Sequence, residues 1–99
     1  MSDKMRTPAQ SPAHDVLGRT VREIRTRRAL SQERLGFACG LHRNYVGAIE
    51  RGEINPTFRV LLKLGDGLQV RLSEMFELYE QRSREPAPPR PRRRRRLSP

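Results

Sequence analysis

Apolar residues recur along this chain at steps of three and four. Leu17, Val21 and Ile24 line one face of a first helix, the spacing that a 3.6-residue period produces, and Asp15 stands where an N-cap is expected. The pattern breaks at Leu30. Ser31 then reads as the cap of a second, short helix that turns Leu35, Ala38 and Cys39 inward and stops at Gly40. A third helix over residues 42–51 runs through Tyr45, Val46 and Ile49 and ends at Gly52. Asn55-Pro56-Thr57 is a turn and cap signal ahead of a fourth helix with Phe58, Leu61, Leu62 and Leu68. Leu72, Met75, Phe76 and Tyr79 repeat at three and four in a fifth. No window shows the strict alternation of a half-buried strand. The predicted class is all-α, a compact bundle over residues 15–81.

Composition limits what this bundle can be. The chain has 99 residues, of which 34% are hydrophobic, against ~45–50% apolar in typical globular chains, glycine counted. One small core is the most it can build, and a multidomain enzyme is excluded. The lone Cys39 cannot close an intrachain disulfide. No stretch approaches the ~18 apolar residues of a membrane span, and the polar opening segment lacks the apolar region of a secretory signal. A cytoplasmic protein is the expectation.

Charge points to the partner. Lysine and arginine number 21 against 11 acids, a net charge of +10, which favours an anionic surface, nucleic acid ahead of acidic membrane. Residues 82–99 hold eight arginines against Glu85 as their only acid. With five prolines and only Ala87 and Leu97 as apolar side chains, this tail cannot bury enough surface to offset the entropy of ordering. It is predicted to be disordered, as is the leader, residues 1–14. The tail is open to two readings, a second nucleic-acid contact or a solvated extension.

The second and third helices are short and joined by Cys39-Gly40-Leu41, a link too brief for antiparallel packing, so they must cross steeply in a helix-turn-helix. Gly36 is small where the two helices approach, and Gly40 can take the left-handed conformation that reverses the chain. The third helix keeps an outer face of His42, Arg43, Asn44, Gly47, Ala48 and Arg51. Arginine pairs bidentately with guanine and asparagine with adenine in the major groove, while small residues let the helix backbone approach.

In ordered signatures from Leu17 to Phe76 the chain resembles the Cro/C1-type helix-turn-helix regulators, which include phage repressors, restriction-modification controllers and antitoxin repressors. The signatures are Leu17-Gly18, Ile24-Arg25, Leu30-Ser31-Gln32-Glu33-Arg34-Leu35, the Gly40 turn, Tyr45-Val46, Ile49-Glu50-Arg51-Gly52 and Asn55-Pro56-Thr57. The resemblance implies a five-helix, lambda-repressor-like DNA-binding domain. It implies that Gln32 bonds a phosphate and braces the recognition helix, that Arg43 and Asn44 read base edges with Gly47 and Ala48 facing the groove, and that Arg51 and the loop through Asn55 hold the DNA backbone. Arg25 and Glu50 match an internal ion pair, and the fifth helix often supplies a dimer contact, here with Leu78 and Tyr79 extending its apolar surface. The implied partners are double-stranded DNA and a second copy of the chain.

Departures from the family pattern are expected to have consequences. Ala29 and Gln69 replace helix-ending glycines, Arg71 replaces a serine cap, and His42 replaces the cap of the third helix, leaving it as cap, base contact, pH-sensitive helix start or plain surface residue. Gly36, Gly47, Gly65 and Gly67 fall inside helices, at ~1 kcal/mol each relative to alanine when exposed, which predicts a domain of modest stability that leans on a partner subunit. Cys39 and His42 lack a second ligand pair, so no metal or other cofactor is expected. Nothing in the sequence suggests catalysis. The function expected is sequence-specific transcriptional regulation on a two-fold symmetric operator. The alternatives are an antitoxin-type autorepressor with a toxin partner, or a sequence-blind nucleic-acid binder dominated by its tail.

Overall fold

Ser11 and Pro12 start the fold, one turn ahead of the expected cap at Asp15. The Ser11 hydroxyl accepts from the His14 amide at 3.2 Å, and proline in the first turn loses no hydrogen bond because that amide would have no helical partner. Upstream, the Gln10 amide donates to the Gly52 carbonyl at 2.9 Å and its side chain to the Glu53 carbonyl at 3.1 Å. Asp15 instead lies in the first turn, where a negative charge suits the helix dipole.

A computed structural model describes residues 10–86. They form α1 (Pro12–Arg27), α2 (Gln32–Cys39), α3 (Arg43–Glu50), α4 (Phe58–Leu68) and α5 (Leu72–Arg84), with no strand among the described residues. None of these helices is long and apolar enough to cross a membrane. The core joins Val21 and Ile24 of α1, Leu35 and Cys39 of α2, Val46 and Ile49 of α3, Leu64 and Leu68 of α4 and Met75 of α5. Burial pushes the Cys39 thiol pKa up, so this residue behaves as a small core side chain.

Several inward assignments shift by a fraction of a turn. Ala38 is exposed, because Leu35, Gly36 and Cys39 already fill the inner side of this two-turn helix. On α4 it is Leu64 and Leu68 that are buried, and Phe58 and Leu62 flank that stripe and face outward. On α5, Leu78 packs against the core, whereas Phe76 is partly exposed. The helix also runs past Gln81, because Arg82 donates to both carboxylate oxygens of Glu23 on α1, at 2.9 and 2.7 Å. Arg82 and Arg84, counted with the basic tail in the sequence, thus belong to a helix. Arg90 and Arg92 to Arg96 lie outside the described residues, as does the leader through Ala9.

The helical glycines are contact points, and the cost expected for exposed sites does not apply to them. A Cβ on Gly36 would run into the Leu41 carbonyl, one on Gly18 into those of Ile49 and Glu50, and one on Gly67 into the Cys39 sulfur. Ala29 and Gln69 do adopt the left-handed backbone, at φ 58° and 59°.

Candidate nucleic-acid interface

The turn between α2 and α3 is built from backbone geometry. Gly40 caps α2 at φ 74°, and the Leu41 amide returns to the Gly36 carbonyl at 2.8 Å. His42 then caps α3, its Nδ1 accepting from the Asn44 amide at 2.9 Å. A ring that accepts at Nδ1 carries its proton on Nε2. The cap fixes the backbone at the point where Arg43 and Asn44 emerge, both exposed.

A charged network lies beneath the other end of α3. Arg25 donates from Nε to Glu50 Oε2 at 2.6 Å and from Nη2 to Oε1 at 3.1 Å. Its Nη1 reaches the Leu30 carbonyl at 2.8 Å, and Gln32 Nε2 donates to Glu50 Oε1 at 3.0 Å. The side chains of Arg25 and Glu50 are only 13% and 3% exposed. The network ties the end of α1, the start of α2 and the end of α3 into one rigid unit. Gln32 therefore uses one amide proton inside the protein, on the carboxylate of Glu50.

The remaining expected contacts do not form one flat surface. Gly47 is buried, because the Arg51 guanidinium and the Gln32 amide cover it; a Cβ there would lie 3.1 Å from Arg51 Nη1 and 3.4 Å from Gln32 Oε1. Ala48 is half-buried and Arg51 exposed. Asn55, exposed in the loop before α4, lines an apolar cavity with Pro56 and Leu17. Gln32, Gly47 and Arg51 are thus brought together.

Sequence reasoning missed the acids on this face. Arg51 donates from Nε to Glu53 Oε2 at 2.8 Å and from Nη2 to Oε1 at 3.3 Å. This raises the Arg51 pKa and holds the Glu53 carboxyl below its ordinary value. Arg43 Nη1 lies 3.5 Å from Glu33 Oε2. Helical spacing does not reveal the first pair, whose members are two residues apart across the Gly52 turn; the only signal is the alternation of charge in Arg51-Gly52-Glu53. Among the described residues, no three His, Cys, Asp or Glu side chains gather in a group that would hold a metal.

Comparison with known proteins places this geometry. A family profile described as Helix-turn-helix matches residues 21–75. Control protein C.SmaI of Serratia marcescens is 38% identical over 62 residues, covering 63% of this chain and 74% of that protein. Control protein C.BamHI of Bacillus amyloliquefaciens is 36% identical over 63 residues, 63% of this chain and 78% of that one. Among solved structures, the restriction-modification controller protein C.AhdI from Aeromonas hydrophila superposes with a TM-score of 0.65 at 41% identity, covering 67% of this chain and all of that one. The controller C.Esp1396I, as a tetramer on its natural 35-base-pair operator, gives a TM-score of 0.73 at 26% identity, with 77% and 100% covered.

Proposed function

This chain belongs to the Cro/C1-type helix-turn-helix family and is a sequence-specific DNA-binding transcriptional regulator, and from that premise we propose how it engages its operator. A homodimer sets two copies of α3 into successive major grooves of a two-fold symmetric site. In each copy Arg43 and Asn44 read base edges. His42 holds the start of the helix, Ala48 lets it sit close, and Gln32, Arg51 and Asn55 face the DNA backbone. The protein acts by binding, without catalysis or cofactor, in the compartment that holds its operator.

The observation that carries this reading is the exposed, capped start of α3, a helix whose far end is anchored by the buried Arg25–Glu50–Gln32 network. The network holds the two reading side chains on a rigid base, which base recognition requires. A second observation supports the dimer. Phe58, Leu62 and Phe76 are 66%, 45% and 37% exposed. Phe76 also lines an apolar cavity of about 180 Å³, with Leu17, Leu61 and Tyr79 among its other walls. Apolar surface of this kind on α4 and α5 is what a second copy would cover. Arg90 and Arg92 to Arg96 add attraction to any duplex.

In vitro selection of bound DNA tests the reading, and a two-fold symmetric consensus is the expected result. On the selected site, Arg43→Ala and Asn44→Ala should each remove ~1–3 kcal/mol of discrimination while scrambled DNA is bound nearly as before. If both variants keep full preference for the selected site, α3 is not the reading element.

A further inference from the structure

Arg51 does not stand free on the face proposed to meet DNA. It closes a two-point fork on Glu53, at 2.8 and 3.3 Å, and Glu53 is held in place by more than its own side chain. The chain reverses at Gly52, φ 76°. The amides of Gly52 and Glu53 return to the carbonyls of Ile49 and Ala48 at 2.9 and 3.0 Å, a Schellman closure. Gln10, just ahead of α1, grips the carbonyls of both residues. On the other side, the missing Cβ of Gly47 makes room for Arg51 Nη1. The backbone on both sides of the pair is therefore built to hold this arrangement.

A carboxylate and a phosphate offer the same thing to a guanidinium, two oxygens that match its planar fork. Both cannot occupy the Nε and Nη2 edge at once. We propose that Glu53 is an affinity-setting residue: it occupies Arg51 in place of a DNA phosphate and must be displaced when the duplex binds. This rests on the reading of Arg51 as a backbone contact. The occupied pair is locally neutral, so it blunts attraction to every duplex and leaves discrimination to Arg43 and Asn44. Glu33 acts on Arg43 in the same sense but more weakly, through one longer contact of 3.5 Å.

The test is a titration of the full chain on selected and scrambled duplexes across a salt series. Glu53→Gln should tighten both by about two- to fivefold, the range for releasing an exposed ion pair. It should also steepen the salt dependence by ~0.9. Glu53→Ser should do the same, which covers the case in which the glutamine oxygen still accepts from Arg51. Glu77→Gln, a change at an exposed position on α5, reports bulk charge alone, and on an Arg51→Ala background Glu53→Gln should gain no more than that control. Weaker binding by Glu53→Gln and Glu53→Ser would mean that Glu53 orients Arg51 toward phosphate, and overturns the proposal. A gain equal to that of Glu77→Gln overturns it too, while the backbone-contact reading survives if Arg51→Ala weakens binding. If Arg51→Ala binds like the parent, that contact and the proposal fail together.

Discussion

Replacing Glu50 by alanine should come close to unfolding the protein, although the residue lies on α3, the helix proposed to read DNA. Its carboxylate, 3% exposed, accepts two hydrogen bonds from Arg25 and one from Gln32, at 2.6 to 3.1 Å. Truncation leaves Arg25 with a single internal partner, the Leu30 carbonyl, and a positive charge that is only 13% exposed. Breaking a buried pair in this one-sided way costs ~3–5 kcal/mol, and the unpaired Gln32 amide adds to the loss. At ~0.05–0.15 kcal/mol per residue, the folded part holds only ~4–12 kcal/mol in total. In a domain of this size ~1 kcal/mol corresponds to ~4–8 °C in Tm, so the melt should fall by at least ~12 °C. The assay is urea and thermal unfolding followed by circular dichroism, for Glu50→Ala, Arg25→Ala and the double variant. The double variant should cost less than the two single costs added together, because each single change strands a partner that the other removes. A Glu50→Ala melt within a degree or two of the parent would show that water reaches Arg25 and that the network contributes little.

Three further outcomes follow from particular residues. Gln69→Gly should stabilise by about 0.5–1 kcal/mol, because a side chain at φ 59° costs ~1–2 kcal/mol and glycine returns only part of that as chain entropy; an unchanged or lower Tm would count against strain at this helix end. Arg82, foremost by its hydrogen bonds, holds the Glu23 carboxyl below its ordinary 4.5. That pair therefore stabilises the fold above pH 4.5, and its contribution is lost as pH falls through the lowered folded value. The urea midpoints of parent and Glu23→Gln should differ at pH 7 and converge in acid, and a gap that stays constant with pH would refute the linkage. Truncation after Pro86 removes six arginines while sparing Arg82; it should weaken binding to all duplexes, lower the salt slope by ~0.9 for each phosphate no longer neutralised and leave the ratio of selected to scrambled affinity unchanged. Slopes that match those of the full chain would make those arginines bystanders.

Much of this architecture is legible in the residue pattern because helices are local. Three-and-four spacing, Ser31 and Thr57 as caps and Gly40 at a left-handed turn each act within a few residues, so the five helices and the crossing of α2 and α3 follow from short stretches of chain. The start of α1 departs from the expectation although its signal, Ser11-Pro12, is equally local, because a proline-containing leader reads as irregular. Phe58 and Leu62 read as inward because period alone gives the width of an apolar stripe but not which edge meets a neighbour. That edge is set by where α1 and α2 lie against α4.

Contacts between distant residues cannot be derived from spacing. Arg25 and Glu50 are 25 residues apart and are matched only through resemblance to a family, while Arg82 and Glu23, 59 apart, have no such guide. The helical glycines show the same division. Taken locally, they weaken helices; in the folded chain Gly18, Gly36 and Gly67 are the places where backbones and side chains come closer than a Cβ allows. The chemistry of the surface proposed to face DNA, arginine and asparagine at the start of a capped helix, is written in residue types and order. Which of its charges stand free, and which are already held by Glu33 or Glu53, depends on side chains meeting in three dimensions, and that is settled only when the helices pack and the turn at Gly52 closes.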